Sequence, residues 1–257
     1  MARIFVTGST DGVGLATARA LVADGHTVAA HARTARRADE VRDQLSGVES
    51  ILIADLASQS ETIELAEQVN ARGRCDAVIH NAGIGSKESR ADTVDGREHV
   101  VAINAIAPYI LTALITAPQR LIYVTSGQHL NGTPNVDDID WVGREWNPLQ
   151  AYADSKLLES TVAYAVARLW PDVITNTMEP GWVPTKMANY DAPDDLALAH
   201  VTQVWLAASN DPEVLRSGGY YYHQRLQPAN PIVVDIEFQE SVLSTFAALT
   251  GIDLPRP

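Results

Sequence analysis

Apolar and polar residues follow two patterns along the chain, short apolar runs and longer segments with helical spacing. The short runs have the length and flanking turns of buried strands, and they occupy residues 3–7, 27–31, 50–54, 77–80, 120–125, 173–178 and 219–223. The helical segments occupy residues 15–23, 35–45, 61–70, 96–114 with a break near Pro108, a stretch that contains 152–156 and continues to Trp170, and 195–208. Strands that alternate with helices are typical of a parallel sheet with helices on both faces. The pattern therefore predicts a single doubly wound α/β fold.

Composition narrows the class of protein. A chain of 257 residues with 46% apolar content is long enough for one large core, and we expect one domain over residues 1–257. The formal net charge of −13 opposes binding to nucleic-acid phosphates. The single cysteine, Cys75, excludes internal disulfides and cysteine metal clusters. Residues 1–6 are too short for the apolar part of a signal peptide, so we expect a cytoplasmic protein.

The longest apolar run, residues 100–118, is interrupted by Asn104, Pro108, Tyr109 and Thr112. These residues make it a poor membrane span, and we expect no membrane span in this chain. A buried helix or a subunit interface fits the run better, as in a homodimer or homotetramer.

A glycine-rich turn joins the first strand to the first helix. Gly8, Gly12 and Gly14 follow residues 3–7, and the strand at 27–31 comes within the ~30 residues of a βαβ unit. Glycines let the backbone approach a pyrophosphate, and the N-terminus of the next helix offers free N–H groups and a positive dipole. The turn therefore predicts a Rossmann-type dinucleotide site.

Tyr152 and Lys156 lie four residues apart within a helical segment, so both side chains project from one face and can converge on one point. A phenol titrates near pH ~10, and a nearby ammonium favours its phenolate form. The pair can therefore act as an acid and a base near neutral pH. The same spacing also arises where a partly buried tyrosine lies beside a solvated lysine, so further motifs must decide.

Six motifs occur along the chain in order. They are Thr7-Gly8-x3-Gly12-x-Gly14, Asp55-Leu56, Asn81-Ala82-Gly83, Asn104, Ser126 with Tyr152-x3-Lys156, and Pro180-Gly181-x-Val183-x-Thr185. Together they resemble the motifs of the short-chain dehydrogenase/reductase family over almost the whole chain. The resemblance implies a cofactor site formed by Gly8, Ser9, Gly12, Val13, Gly14, Asp55, Leu56, Asn81, Ala82, Gly83, Tyr152, Lys156, Pro180, Gly181, Val183 and Thr185.

The resemblance also implies a catalytic tetrad. Tyr152 would exchange a proton with the substrate oxygen, while Lys156 would lower the pKa of the phenol and hold the nicotinamide ribose. Ser126 would hydrogen-bond the substrate carbonyl, and Asn104 would hold a water-linked proton path to Lys156. Two alternatives stay open, because Ser126 can instead cap its own turn and Asn104 can bond nearby backbone.

The end of the second strand, His31-Ala32-Arg33-Thr34, bears on the choice of cofactor. An NAD enzyme usually places a carboxylate there, whereas the 2′-phosphate of NADP needs a cation. Arg33 can supply that cation, so we expect NADP(H) to be preferred, with NAD(H) as the alternative. Asp11 in the glycine turn would oppose a phosphate near it. Arg36 and Arg37 could add positive charge there, but we interpret both as solvated helix residues.

The separation of Ser126 from Tyr152 points to one branch of the family. It is 152 − 126 = 26 residues, which is longer than the family's common spacing, and a polar segment at 128–150 fills it. Asp138-Ile139-Asp140-Trp141 resembles the insertion of retinol-dehydrogenase-like members. Glu179 stands where that branch often has histidine, and its effect is open.

Two loops, residues 128–150 and 182–200, are expected to border the substrate pocket. They carry large apolar or aromatic side chains at Trp141, Trp146, Trp182, Met187 and Tyr190. These side chains favour a hydrophobic carbonyl compound or secondary alcohol, unless some of them only anchor the loops on the core. The acidic residues of the first loop lack the glycine and glutamate of a calcium loop, so we interpret them as a solvated turn and expect no metal.

The sequence therefore predicts an NADP(H)-dependent oxidoreductase that interconverts a hydrophobic carbonyl compound and its alcohol. An NAD-preferring alcohol dehydrogenase is one alternative. A regulator that senses NADP without turnover is another, which the retention of both Tyr152 and Lys156 disfavours. A hydrolase built on Ser126 and His129 is disfavoured because residues 124–127 lack the flanking glycines of a nucleophile elbow.

Overall fold

The computed structural model describes residues 1–85, 89–188 and 190–256. Within these ranges the strands are β1 (Arg3–Val6), β2 (Thr27–Ala32), β3 (Ser50–Ile53), β4 (Ala77–His80), β5 (Arg120–Val124), β6 (Ile174–Glu179), β7 (Tyr220–Tyr222) and β8 (Arg225–Gln227). They form one sheet in the order β3-β2-β1-β4-β5-β6-β7-β8. Neighbouring strands are parallel except for β7 and β8, which form an antiparallel hairpin. The predicted α/β fold with a mostly parallel sheet is confirmed.

Helices connect the strands and cover both faces of the sheet. They are α1 (Gly12–Ala23), α2 (Ala35–Val41), α3 (Gln59–Asn70), α4 (His99–Val101), α5 (Ala107–Leu114), α6 (Pro148–Leu169), α7 (Val201–Ala208) and α8 (Ile236–Thr250). Alternate residues of a strand point to opposite faces. Phe5 of β1 therefore packs in the core beneath α3, α5, α6 and α8, whereas Ile4 and Val6 pack in the core beneath α1 and α7. None of the helices in the described ranges combines the length and apolar character needed to cross a membrane.

The strand order reverses between β1 and β4, and this reversal locates the site. The chain runs outward from β1 through β2 to β3, and then crosses to β4 and runs outward through β5 and β6 on the other side. The loops that follow β1 and β4 therefore leave in opposite directions. They open a crevice at the carboxyl edge of the sheet, which is where doubly wound folds bind their ligands.

The helix predicted over residues 96–114 starts later and is interrupted differently. α4 begins at His99, and residues 102–106 form a π-helical turn before α5. The predicted break near Pro108 is wrong, because Pro108 lies in the first turn of α5, where its missing N–H is tolerated. The irregular turn lies earlier and contains Asn104. Such wide turns are frequent at functional sites.

The C-terminal region differs most from the prediction. β7 is followed by β8, which the sequence pattern does not predict, and His223 and Gln224 make the turn between them at φ values of 47° and 60°. The pattern also misses α8, although Asp235 caps its N-terminus and Gly251 ends it at a φ of 70°. α7 begins at Val201, later than predicted.

Candidate active site

The glycine turn after β1 forms a tight cradle at the carboxyl edge of the sheet. Gly8 and Gly12 adopt φ values of 63° and 47°, which favour glycine. A Cβ on Gly14 would lie 2.3 Å from both the Gly8 carbonyl oxygen and Asn81 Nδ2, so the turn packs closely against the loop after β4. Asp11 caps α1 by accepting from Gly12 N at 2.9 Å. A close-packed turn that opens a helix is compatible with a pyrophosphate, and the assignment of these glycines and of Val13 to the cofactor stays a prediction.

Ser9 and His31 fix the conformation of this turn. The Ser9 hydroxyl donates to Val6 O and accepts from His31 N at 2.9 Å. The His31 ring accepts from Gly8 N through Nδ1 and bonds Ala54 O through Nε2, both at 2.9 Å, so the Nε2-protonated tautomer satisfies both bonds. Burial lowers the pKa of His31 and keeps the ring neutral. Sequence reasoning missed His31, because nothing local to it points to a partner at the glycine turn.

The Asn81-Ala82-Gly83 motif is tied to the first strand through Thr7. The Thr7 hydroxyl accepts from Asn81 N and from Ala82 N, each at 2.9 Å. Asn81 Nδ2 donates to Thr7 O at 2.9 Å and to Gly8 O at 3.3 Å. These bonds join the ends of β1 and β4 where the strand order reverses, and so they shape the floor of the crevice.

Asn104 connects the π-helical turn to α6 and to the loop after β4. Its Nδ2 donates to Ile84 O and to Ser155 Oγ, each at 3.0 Å, and its Oδ1 accepts from Ile84 N at 2.9 Å. Ser155 Oγ in turn donates to Tyr152 O at 2.7 Å. The side chain of Asn104 therefore bonds nearby backbone, as the alternative reading expected. The same bonds attach it to the helix that carries Tyr152.

Lys156 is buried and its ammonium has two partners. Nζ donates to Val124 O and to Glu159 Oε2, each at 2.8 Å. A Cβ on Gly83 would lie 3.4 Å from Lys156 Nζ and 3.4 Å from Asn104 Oδ1, so both polar atoms face that glycine. Burial acts to lower the pKa of Lys156, but the charges of Glu159 and Tyr152 together with the hydrogen bond to Glu159 raise it. Glu159 is absent from the residues predicted above, although its spacing of three from Lys156 indicates an ion pair on one helix face.

Tyr152 is half-buried near the start of α6. Its hydroxyl lies 4.0 Å from Met187 Sδ in the loop after β6. Tyr152 and Lys156 share one helix face, as the spacing predicts, but the phenol and the ammonium have different immediate partners.

Ser126 follows β5, and Glu179 ends the neighbouring strand beside it. Ser126 Oγ accepts from Gln128 N at 3.2 Å, which is the turn-capping bond considered above. Glu179 Oε2 accepts from Gly127 N at 2.7 Å, and its Oε1 accepts from the Tyr220 hydroxyl. Glu179, whose effect is open from the sequence alone, therefore fixes the peptide next to Ser126.

The Pro180–Thr185 segment lies against the glycine turn. Thr185 Cγ2 lies 3.2 Å from the position of a Cβ on Gly12. Lys186 Nζ, one residue later, lies 3.4 Å from Asp11 Oδ2. These contacts join the loop after β6 to the loop after β1 across the crevice.

Asp11 carries two cationic partners at the edge of the glycine turn. Besides Lys186, Arg37 lies 3.0 Å from Asp11 Oδ2 and donates to Thr10 O at 2.8 Å. The interpretation of Arg37 as a solvated helix residue is therefore wrong, because α2 directs it back onto the turn. Arg36 does project into solvent, where it pairs with a carboxylate on its own helix. Arg33 is exposed just after β2.

Asp55 and Leu56 follow β3 at the same edge of the sheet. Asp55 Oδ1 accepts from Ala57 N at 3.0 Å, and Leu56 packs in the core. β3 pairs with β2, so this turn neighbours the strand end that precedes Arg33.

The 128–150 segment is anchored on α6 by aromatic and ionic contacts. The Arg144 guanidinium carbon lies 3.5 Å from the centre of the Trp141 ring, and Trp146 packs edge-on against Trp141 at 5.6 Å between centroids. Arg144 also pairs with the buried Asp154 of α6 at 3.0 Å. Trp141 is buried, so for this residue the structure favours the alternative considered above, in which the side chain anchors the loop on the core.

The acidic residues of this segment make structural contacts. Asp140 accepts from Arg97 at 2.6 Å and from Glu98 N at 2.8 Å. Asp138 accepts from Val142 N at 2.7 Å. The interpretation of a solvated acidic turn is therefore corrected, since these carboxylates hold the loop in place.

Comparison with known proteins relates this arrangement to a family. The family model for short chain dehydrogenases matches residues 2–136. The chain is 40% identical over 262 residues to the short-chain dehydrogenase chry4 of Gibberella zeae, covering 100% of both chains. It is 29% identical to polyprenol dehydrogenase of Mus musculus, over 96% of this chain and 83% of that protein. It is 24% identical to retinol dehydrogenase 13 of Homo sapiens, over 98% and 85%.

A solved structure has the same fold as this chain over almost its whole length. A crystal structure of a protein from Mycobacterium paratuberculosis superimposes with a TM-score of 0.84 at 25% identity, covering 99% of this chain and 95% of that one. The chain therefore belongs to the short-chain dehydrogenase/reductase family and is an oxidoreductase that acts on the CH–OH/C=O couple.

Proposed function

We propose that this protein is an NADP(H)-dependent oxidoreductase that interconverts a hydrophobic carbonyl compound and its alcohol, with Tyr152 as the acid and base. The observation that carries the proposal is the approach of Lys156 Nζ and Asn104 Oδ1 to Gly83, within the crevice that begins at the glycine turn. A charged group, the helix of Tyr152 and the glycine turn proposed to hold the dinucleotide therefore lie at one edge of the sheet.

Each member of the tetrad has a physical task in this proposal. When bound, the nicotinamide supplies or accepts a hydride. Tyr152 gives a proton to the substrate oxygen in reduction and takes it back in oxidation. The Ser126 hydroxyl donates a hydrogen bond to the same oxygen and stabilises the charge that develops on it. Lys156 stabilises the phenolate through its charge and binds the ribose hydroxyls, and Asn104 holds the π-helical turn against α6.

The charges at the adenine end favour NADP. Arg33 is exposed beyond β2, where a 2′-phosphate would lie. Asp11 would repel that phosphate if it were unpaired, but Arg37 and Lys186 lie at 3.0 and 3.4 Å from its carboxylate. The two cations offset the carboxylate, which supports a net attraction for the phosphate.

The surface beside Tyr152 favours an apolar substrate. Trp182, Met187 and Tyr190 are 63%, 51% and 63% exposed in the loop after β6, and Met187 contacts the phenol. Exposed apolar side chains in a loop that contacts the proposed acid support an apolar ligand. Two of the relatives are named for retinol and polyprenol, which are both hydrophobic alcohols.

The proposal is tested by following NADPH and NADH absorbance against a panel of aldehydes and ketones. We expect turnover of apolar carbonyl compounds with a higher kcat/KM for NADPH than for NADH. Arg33→Asp should lower that ratio by about tenfold or more, since it replaces a phosphate ligand with a like charge. Arg36→Asp is the matched control, because Arg36 is 82% exposed and pairs along its own helix, and it should leave the ratio unchanged.

Two results would contradict the proposal. Tight NADPH binding without turnover of any compound in the panel would indicate a cofactor-sensing regulator. An NADPH/NADH ratio that Arg33→Asp does not lower would remove Arg33 as the phosphate ligand.

A further inference from the structure

A buried carboxylate lies one helical turn beyond Lys156. The side chain of Glu159 is 0% exposed, and its Oε2 accepts from Lys156 Nζ at 2.8 Å. Its Oε1 has no hydrogen-bond partner among the described residues. A buried ion pair is costly to desolvate, and an apolar side chain in its place would avoid that cost. The position therefore points to a role beyond packing.

Tyr152, Lys156 and Glu159 lie along one face of α6, at positions i, i+4 and i+7. Lys156 stands between the other two. Seven residues separate Tyr152 from Glu159, which is about 10 Å along the helix axis. A negative charge on Glu159 therefore subtracts from the positive potential that Lys156 exerts at the phenol.

Tyr123, whose phenol interacts with the Glu159 carboxylate, and His80, whose ring packs against Tyr123, are both neutral. Burial raises the pKa of Tyr123 on β5 and lowers the pKa of His80 on β4 to about 3. Both groups bond the Thr112 hydroxyl, at 2.6 and 3.0 Å. Burial raises the pKa of Glu159 to about 7, against the Lys156 ammonium, which lowers it. The carboxylate therefore becomes charged as the pH rises above neutrality, while Lys156 stays an ammonium.

We propose that Glu159 is a positioning residue that offsets, through its contact with Lys156, the positive charge that Lys156 presents to Tyr152, so that the site favours carbonyl reduction. This inference rests on the proposed function. In reduction, the carbonyl carbon receives a hydride from NADPH and the carbonyl oxygen receives the Tyr152 proton, so the protonated phenol is the reactive form. In oxidation, the phenolate is the reactive form. Glu159 makes the phenolate less favourable by offsetting the charge beside it.

Glu159→Gln tests this by keeping an oxygen for Lys156 while removing the charge. Coulomb's law over about 10 Å at an effective dielectric of about 20 gives a shift of about one pH unit in the titration of Tyr152. The rising limb of kcat/KM for alcohol oxidation should therefore move to lower pH by about one unit. The falling limb of kcat/KM for carbonyl reduction should move to lower pH by the same amount. Glu159→Asp, which keeps the charge, should leave both limbs near their wild-type positions.

A second readout needs no turnover. Near-ultraviolet spectra are recorded against pH, and the spectrum of Tyr152→Phe is subtracted from that of the wild type to isolate the phenolate absorbance of Tyr152. The same subtraction is made between Glu159→Gln and the double variant that also carries Tyr152→Phe. The same downward shift is expected. Glu159→Leu is a second charge-removing variant with the same expected shift, should the glutamine variant fail to fold.

The outcomes separate this inference from the proposed function. A folded charge-removing variant whose limbs and phenol titration coincide with the wild type, or move to higher pH, would overturn the role of Glu159. A wild type that turns over no carbonyl compound or alcohol would overturn the proposed function. The phenol titration would then still decide whether Glu159 tunes Tyr152.

Discussion

Removing the carboxylate of Glu179 should weaken both the fold and the turn that carries Ser126. Glu179 accepts from Gly127 N at 2.7 Å and from the Tyr220 hydroxyl. Hydrogen bonds to a charged group contribute ~1.5–3 kcal/mol each when buried. Glu179 is partly exposed, so water replaces part of each bond. We therefore expect Glu179→Ala to lower the free energy of unfolding by about 2–4 kcal/mol, and Glu179→Gln, which keeps one acceptor oxygen, by about 1–2 kcal/mol.

The effect on activity follows from chain geometry. Ser126 immediately precedes Gly127, so losing the bond to Gly127 N releases the peptide that orients the proposed carbonyl-binding hydroxyl. A misplacement of about 1 Å lowers rates on the order of 100-fold, and we expect kcat/KM of Glu179→Ala to fall by about 10- to 100-fold. Tyr220→Phe is the matched control. It removes the second bond to Glu179 and leaves the first, so it should cost about 1–2 kcal/mol of stability and little activity.

Urea unfolding of the three variants gives the stabilities, and initial rates with the best substrate of the carbonyl panel give kcat/KM. If Glu179→Ala unfolds like the wild type and keeps its kcat/KM, the carboxylate does not hold the turn. Equal loss of activity in Tyr220→Phe and Glu179→Ala would show that the turn responds to global stability rather than to the bond at Gly127 N.

Two further predictions concern the cradle and the buried pair. Gly14→Ala should abolish NADPH binding and lower the free energy of unfolding by about 2–3 kcal/mol, because its Cβ would lie 2.3 Å from a carbonyl oxygen. Gly143→Ala, whose Cβ would meet its nearest atom at 3.5 Å, should behave like the wild type in the same assays. Burial raises the pKa of Glu159 from 4.5 to about 7. The neutral carboxyl therefore makes its full contribution to the free energy of unfolding below pH 4.5, and this contribution is lost as the pH rises through 7. Thermal unfolding should therefore show the wild type losing on the order of 2–3 kcal/mol more than Glu159→Gln between about pH 5 and pH 8, and parallel pH curves would contradict this.

Local signals in the sequence are sufficient for strands β1 to β7 and for the cradle. Each of these strands lies in a short apolar run between turns, and Gly8, Gly12 and Gly14 mark a turn that few other residues could form. β8 has no such apolar run. The sequence also carries signals for α8, since aspartate is a common N-cap residue and glycine a common C-terminal one, as at Asp235 and Gly251.

Contacts between distant residues could not be read from local pattern. Arg37 looks like any exposed helix residue until the direction of α2 is known, and then it neutralises Asp11. His31 looks like a strand residue, yet its ring bonds the glycine turn 23 residues earlier in the chain. Trp141 looks like a pocket residue because its loop is polar, but tertiary packing buries it.

The central claim is that the Tyr152 phenol transfers the proton that accompanies hydride transfer. The most direct test is single-turnover reduction by Tyr152→Phe, with NADPH oxidation followed against time and NADPH affinity measured separately. The account predicts a fall in the hydride-transfer rate on the order of 100- to 10,000-fold with NADPH affinity changed by only a few-fold, because the acid alone is removed. Hydride transfer at the wild-type rate in Tyr152→Phe would contradict it.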